Sequence, residues 1–234
     1  CTRRADMSIY GTATIESIAE VKDNATIAAM NALYPTLQWG RIAEEHMARG
    51  RYWALRVADA PTIAPGDVLS LTSGNRRLVV TGTTIRAHRA RSMLLKTSEV
   101  LVENNLIEHG QSCGIILAPE WQWLEADFTW NATIRRNTIR GNGHGPSNPN
   151  SVQPAIISVI GLGMKGFAPA GQHRNILIEG NTLERCYVMP FAVSAAEQVR
   201  IQDNTIDGTH FVEKRTGATS GFDQTSLLFL RNVK

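Results

Sequence analysis

The chain has 234 residues, 24 basic against 21 acidic side chains and a formal net charge of +3. With 43% hydrophobic residues, 19 Gly and 9 Pro, it builds a core without staples, and the mild charge, with no Lys/Arg run, argues against a nucleic-acid partner. No stretch approaches the roughly 18 consecutive apolar residues of a membrane-spanning helix.

The chain opens on Cys1, not Met, and carries no charged-then-apolar leader, so it reads as a processed or truncated product. Cys1 suits either the lipid-bearing Cys of a mature bacterial lipoprotein or a fragment boundary, the latter being the simpler reading. Three Cys exclude a complete disulfide framework, and Cys113 and Cys186 lie in apolar segments as buried thiols.

Residues 1–65 stand apart from the rest of the chain. Asn24–Leu33 and Leu37–Ala48 have helix-compatible composition, and Tyr52–Val57 reads as a strand. Pro65-Gly66-Asp67 is a turn into a first apolar strand, Val68–Leu71. This segment is expected to be a small mixed N-terminal cap on a solenoid end, or the remnant of an inserted or upstream domain.

From about residue 66 to 234 the chain repeats itself. Val100–Asn105, Ala132–Asn137, Ile176–Asn181, Val199–Asn204 and Leu227–Asn232 share an apolar-x-apolar-x-x-Asn pattern, and Leu78–Thr83 fits with Thr in place of Asn. The alternation is a strand with one face inward. Before the Asn stand Gly82, Asn104, Arg136, Gly180, Asp203 or Arg231, among which Gly, Asn and Asp tolerate a left-handed bend. Stacked Asn amides can then hydrogen-bond to the coil above and below. The intervals (22, 32, 44, 23 and 28 residues) fit a coil of about 22 with insertions of 10, 22 and 6. A helical repeat fails, because Thr, Val, Ile and Asn fill the repeated segments. The expected fold is therefore all-β, a right-handed parallel β-helix of about six coils. Arg86, Glu108, Arg140, Glu184 and Asp207 follow the repeats as an exposed ladder of charges.

Met93, Ile115 and Phe191 each fall eight residues after Ile85, Ile107 and Leu183, which locates the insertions. They are 118–131, 141–150, 161–173 and 214–224. Three of these loops are expected to rise from one corner and to enclose a groove, with Trp and carboxylates on one wall and Lys165, His173, Lys214 and Arg215 nearby. The 118–131 loop is the richest: Trp121, Trp123 and Trp130 lie with Glu120, Glu125 and Asp127 within eleven residues. Aromatic faces suit sugar rings, and carboxylates bind hydroxyls and supply general acid and base. Inverting glycosidases hold two carboxyls about 6.5–9.5 Å apart. Residues i and i+2 of a strand, such as Glu125 and Asp127, lie about 6.8 Å apart. The alternative is that the Trp side chains pin the loop to the coil beneath. The His and Cys residues show no metal-ligand spacing, so no metal or other cofactor is expected.

The repeats resemble those of the pectin-lyase-like parallel β-helices. Ala90–Leu95 through Val100–Asn105, and Trp123-Leu-Glu125-Ala-Asp127 followed by Ala132–Asn137, resemble glycoside hydrolase family 110. Such a resemblance implies an inverting exo-α-galactosidase whose β-helix carries small inserted β-domains. In that family the loop reads Asp, then Trp-x-Glu-Ser-Gly. Trp123 and Glu125 match, Glu120 stands at the Asp position, and Ala126-Asp127 replaces Ser-Gly.

The expected function is a carbohydrate-active β-helix protein, a glycoside hydrolase on galactose-containing or related glycans. Glu125, Asp127 and Glu120 are the catalytic candidates. Trp121, Trp123, Trp130, Arg91, Lys165 and His173 are the candidates for binding an oligo- or polysaccharide. A polysaccharide lyase on uronates, with Ca²⁺ as a possible cofactor, and a non-catalytic tailspike- or adhesin-like coil are the alternatives. All three readings point to a secreted, periplasmic or cell-surface location.

Overall fold

The computed structural model describes residues 1–33, 51–72, 76–121, 125–145, 154–163, 166–209 and 226–234. Near the start, β1 (Thr14–Glu20), α1 (Asn24–Leu33) and β2 (Trp53–Ala58) form one unit, with β1 and β2 antiparallel. Asp23 caps α1, its carboxylate accepting the Thr26 N–H at 2.7 Å. The second expected helix, Leu37–Ala48, lies outside the described residues, and β1 has no counterpart in the sequence expectations.

Five circuits of the chain come next. The first gives β3 (Arg76–Thr81), β4 (Thr84–Arg86) and β5 (Met93–Leu95), and the second β6 (Ser98–Glu103), β7 (Leu106–Glu108) and β8 (Ile115–Leu117). The third gives β9 (Trp130–Arg135), β10 (Thr138–Arg140) and β11 (Ala155–Val159), with a small hairpin, β12 (Leu162–Gly163) and β13 (Gly166–Phe167), after it. The rest are β14 (His173–Glu179), β15 (Thr182–Glu184), the 14-residue β16 (Met189–Gln202), β17 (Thr205–Asp207) and β18 (Leu228–Val233).

Each circuit adds one strand to each of three parallel stacks. The first is β3-β6-β9-β14-β16 and the second β4-β7-β10-β15-β17. The third is β5-β8-β11-β16-β18, with β16 bending from the third stack into the first. The chain is thus mostly β, with parallel sheets. Inward positions align from circuit to circuit: Val80, Val102, Ile134, Ile178 and Ile201 in one column, Ile85, Ile107, Ile139, Leu183 and Ile206 in another. All but the exposed Ile206 fill a single core, each fully buried side chain contributing about 1.5–3 kcal/mol.

The polar corner is equally regular. Asn105, Asn137 and Asn181 are buried, and each accepts from or donates to the next: Asn105 Nδ2 donates to Asn137 Oδ1, Asn137 Nδ2 to Asn181 Oδ1 and Asn181 Nδ2 to Asn204 Oδ1, all at 2.9 Å. The preceding residues, Gly82, Asn104, Arg136, Gly180 and Asp203, all take φ between 52° and 61°. Gly82 and Gly180 adopt that bend without penalty. On the outer face Arg86, Glu108, Arg140 and Glu184 form a chain of ion pairs at 2.6, 2.9 and 3.9 Å. The Arg86 hydrogen bond, with Arg140 beside it, holds the Glu108 carboxyl below its usual range.

Two expectations change. Leu227–Asn232 is not a sixth repeat of the Asn ladder: Leu228 pairs with Phe191 and Leu230 with Val193, so β18 closes the fifth circuit. The Asn232 amide instead donates to Ala168 O at 2.8 Å. Residues 214–224 lie outside the described residues. Val68–Leu71 is no coil strand; Val68 makes a single antiparallel bridge to Thr2. Cys113 and Cys186 are buried thiols outside any disulfide, and burial pushes them up to about 12 and about 11. Among the described residues no helix is long and apolar enough to cross a membrane.

Candidate functional site

The described residues between β8 and β9, 118–121 and 125–129, lie at the corner between the third and first stacks. Opposite stands the chain just before β3. Between them opens a cleft of about 400 Å³, lined by Val68–Thr72 on one side and by Lys96–Ser98, Glu125–Phe128 and Trp130 on the other, with Trp121 against it. That volume lies within the range of small-molecule sites, about 300–1,000 Å³.

The lining side chains are held by charge and by local hydrogen bonds. Glu120 turns inward at a left-handed φ of 49°, and its side chain is 3% exposed. A buried carboxylate demands compensation. Here it accepts from Arg91 Nη1 at 2.5 Å and from Lys96 Nζ at 2.7 Å. The same Lys96 ammonium, 16% exposed, also pairs with Glu125, whose side chain is 49% exposed. Asp127 accepts the Phe128 N–H on Oδ1 at 2.7 Å and the Ser70 hydroxyl on Oδ2, tying the two cleft walls together. Trp130 is half-buried; its backbone N–H donates to Ser98 Oγ and its indole Nε1–H to Gln172 O, both at 3.0 Å. The Arg174 guanidinium lies 5.5 Å from the Trp130 ring centre.

The expected site residues thus fall into groups. Glu125, Asp127 and Trp130 come together on one cleft. Glu120 is not available to a substrate, because two cations already hold it under the surface. Arg91 is committed to Glu120 and does not line the cleft. Trp121 is 1% exposed and meets Phe128 edge-on, with ring centres 5.6 Å apart, so it packs the loop and offers no face to a sugar. Its Nε1 has no hydrogen-bond partner among the described residues. His173 is fully buried, edge-on to Phe128 at 5.0 Å, its Nδ1 accepting the Thr129 N–H at 3.1 Å. It serves as a packing residue and is out of reach of the cleft. Trp123 and Lys165 lie outside the described residues, as do Lys214 and Arg215. The cleft itself sits on the side of the loop facing residues 68–72, and the expectation had been a groove toward the later insertions. Sequence reading passed over Lys96, Ser70, Thr97 and Ser98, none of which belongs to a recognisable motif. Among the described residues no three His, Cys, Asp or Glu side chains converge as metal ligands would. No protein-family model and no curated protein matches this chain.

Burial at His173 has a measurable consequence. Loss of solvation drives its ring down to about 4 from an ordinary 6.5, against the pull of the Ile160 and Thr129 backbone. The unfolded chain therefore takes up this proton near pH 6.5, while the folded chain resists it down to about pH 4. The folded state loses stability across that window as pH falls, by on the order of 3 kcal/mol, and gains nothing further above it. His173→Gln is expected to flatten that part of the slope when urea midpoints are compared between pH 7 and pH 4.5.

Proposed function

We propose that residues 66–234 form a right-handed parallel β-helix, capped by residues 1–65, and that its cleft binds and hydrolyses a glycan containing galactose or a related sugar. The observation that carries this reading is the composition of the cleft. Two carboxylates at i and i+2, Glu125 and Asp127, share it with the Trp130 ring and with the hydroxyls of Ser70, Thr72, Thr97 and Ser98. Hydroxyls and carboxylates recognise a sugar's polar edge, and the aromatic and leucine side chains its apolar face. In this reading Glu125 and Asp127 act as the acid and base of an inverting displacement.

The same residues weigh against a lyase. A lyase must neutralise a uronate carboxylate, and the one cation among the described lining residues, Lys96, is already shared by Glu120 and Glu125. A binding-only role has one observation in its favour: both oxygens of Asp127 are engaged, by Ser70 and by Phe128. A panel of aryl-glycosides and galactose-containing oligosaccharides separates the readings. Release of reducing sugar with inverted configuration is the expected result. Retention of glycans without turnover would favour binding alone, and unsaturated product from polyuronates would favour a lyase.

A further inference from the structure

Residues 2–10 sit far from the stacks in sequence yet touch both walls of the cleft. On the first wall, Thr2 and Val68 exchange two backbone hydrogen bonds, each 2.9 Å. Next to Val68, the Asp67 carboxylate accepts the Arg4 N–H and the Tyr10 hydroxyl, both at 2.9 Å. Behind the second wall, the Ile9 N–H donates to Gln172 Oε1 at 2.7 Å, and Gln172 O in turn receives the indole of Trp130, which lines that wall. Between these anchors the chain turns tightly: Arg3 N–H donates to Ser8 O and Met7 N–H to Arg3 O, with Asp6 accepting the Ser8 N–H and hydroxyl.

That turn presents Met7. Its side chain is fully buried in a small apolar cluster, separate from the main core, with Trp121, Phe128, Ala168 and Ala195; Ile9 and Val68 pack at its edge. Three members of the group, Val68, Trp121 and Phe128, also line the cleft. Met7 holds a φ of 63°, in the left-handed region, which a Met side chain has no local reason to adopt. Such a conformation persists only where surrounding contacts impose it.

We propose that residues 2–10 are a latch that assembles the cleft: docked through Met7, they hold both walls in register, and released, they free both walls while the three stacks stay folded. The inference concerns how the cleft is built and does not depend on what occupies it. Because the anchors lie outside the main core, the latch belongs to the part of the fold that opens locally before the whole unfolds. Its displacement is a route to switching the cleft off without loss of the scaffold.

Hydrogen–deuterium exchange read by mass spectrometry tests this. Met7→Asp is expected to speed exchange at least tenfold in peptides covering both 66–72 and 125–131, leaving 100–108, 132–140 and 176–184 unchanged, and Met7→Leu to restore the wild-type pattern. Acceleration confined to residues 1–11 would overturn the proposal. If Met7→Asp loosens the stacks as well, the double variant Tyr10→Phe/Gln172→Ala decides, since it leaves the apolar cluster intact. Faster exchange in both walls supports the latch, and wild-type exchange in either wall overturns it.

Discussion

Glu125→Gln and Asp127→Asn are each expected to lower kcat/KM on the best glycoside of the panel by about 10²–10⁴-fold, the range that a positioned acid or base supplies. Neither change is expected to disturb the fold much. Glu125 is half exposed, and its ion pair with Lys96 is of the kind worth roughly 0–1 kcal/mol. Asp127→Asn keeps an oxygen for the Phe128 N–H and turns its new amide toward the Ser70 hydroxyl, which can rotate to accept. A variant that is inactive but melts close to wild type therefore reports chemistry. Equal activity in wild type and Glu125→Gln would end the hydrolase reading.

The same variants assign the roles. Loss of the acid matters least for substrates whose leaving group departs without protonation, so the acid variant keeps activity on nitrophenyl glycosides and loses it on oligosaccharides. Loss of the base leaves water unactivated for every substrate, and added azide, which needs no deprotonation, rescues it. Geometry offers a basis for the assignment: the Glu125 side chain is 49% exposed and within reach of a water, while both Asp127 oxygens are engaged by Ser70 and Phe128. Azide rescue is accordingly expected for Glu125→Gln. Rescue of Asp127→Asn alone would reverse the two roles.

How far the sequence foretold all this depends on the range of the interactions involved. The aligned columns, the Asn ladder and the left-handed bends recur every circuit, so each is announced several times in the order of residues. Asn232 shows the limit of that logic. Leu227–Asn232 matches the six-residue pattern, but an Asn joins the ladder only if its strand stacks on the one holding Asn204, and β18 pairs with Phe191–Ala196. A strand of alternating apolar residues suits either stack. The cleft was half legible. A loop with three Trp and three carboxylates announced itself by composition, yet composition does not say which ring turns inward, and Trp121 did. The opposite wall left no trace, because Ser70 meets Asp127 across 57 residues and Lys96 meets Glu120 across 24. Met7 is the extreme case, a residue whose role exists only once the stacks are assembled.

Asn137→Ala is expected to destabilise the fold by about 3–5 kcal/mol, read as a drop in the urea midpoint at constant slope. The Asn137 side chain accepts from Asn105 N–H and Nδ2 at 3.1 and 2.9 Å and donates to Val102 O and Asn181 Oδ1 at 3.0 and 2.9 Å. Removing it costs more than those bonds, because the Asn105 N–H stays buried without a replacement, at roughly 1–3 kcal/mol. Asn105 Nδ2 keeps its bond to Val80 O, and Asn181 Oδ1 keeps the Asn137 N–H, which limits the damage to one step of the ladder. Against a total stability of about 5–15 kcal/mol this is a severe loss. The contrast with Asn204→Ala makes the test specific. Asn204 carries the same bonds to Asn181 but is only partly buried, so water can reach the groups it abandons, and the expected cost falls to about 1 kcal/mol. A graded cost, high in the middle and low at the end, is what a buried ladder requires. Equal and small losses at both positions would mean that the amides stack without contributing, and that the aligned aliphatic columns alone hold the circuits together.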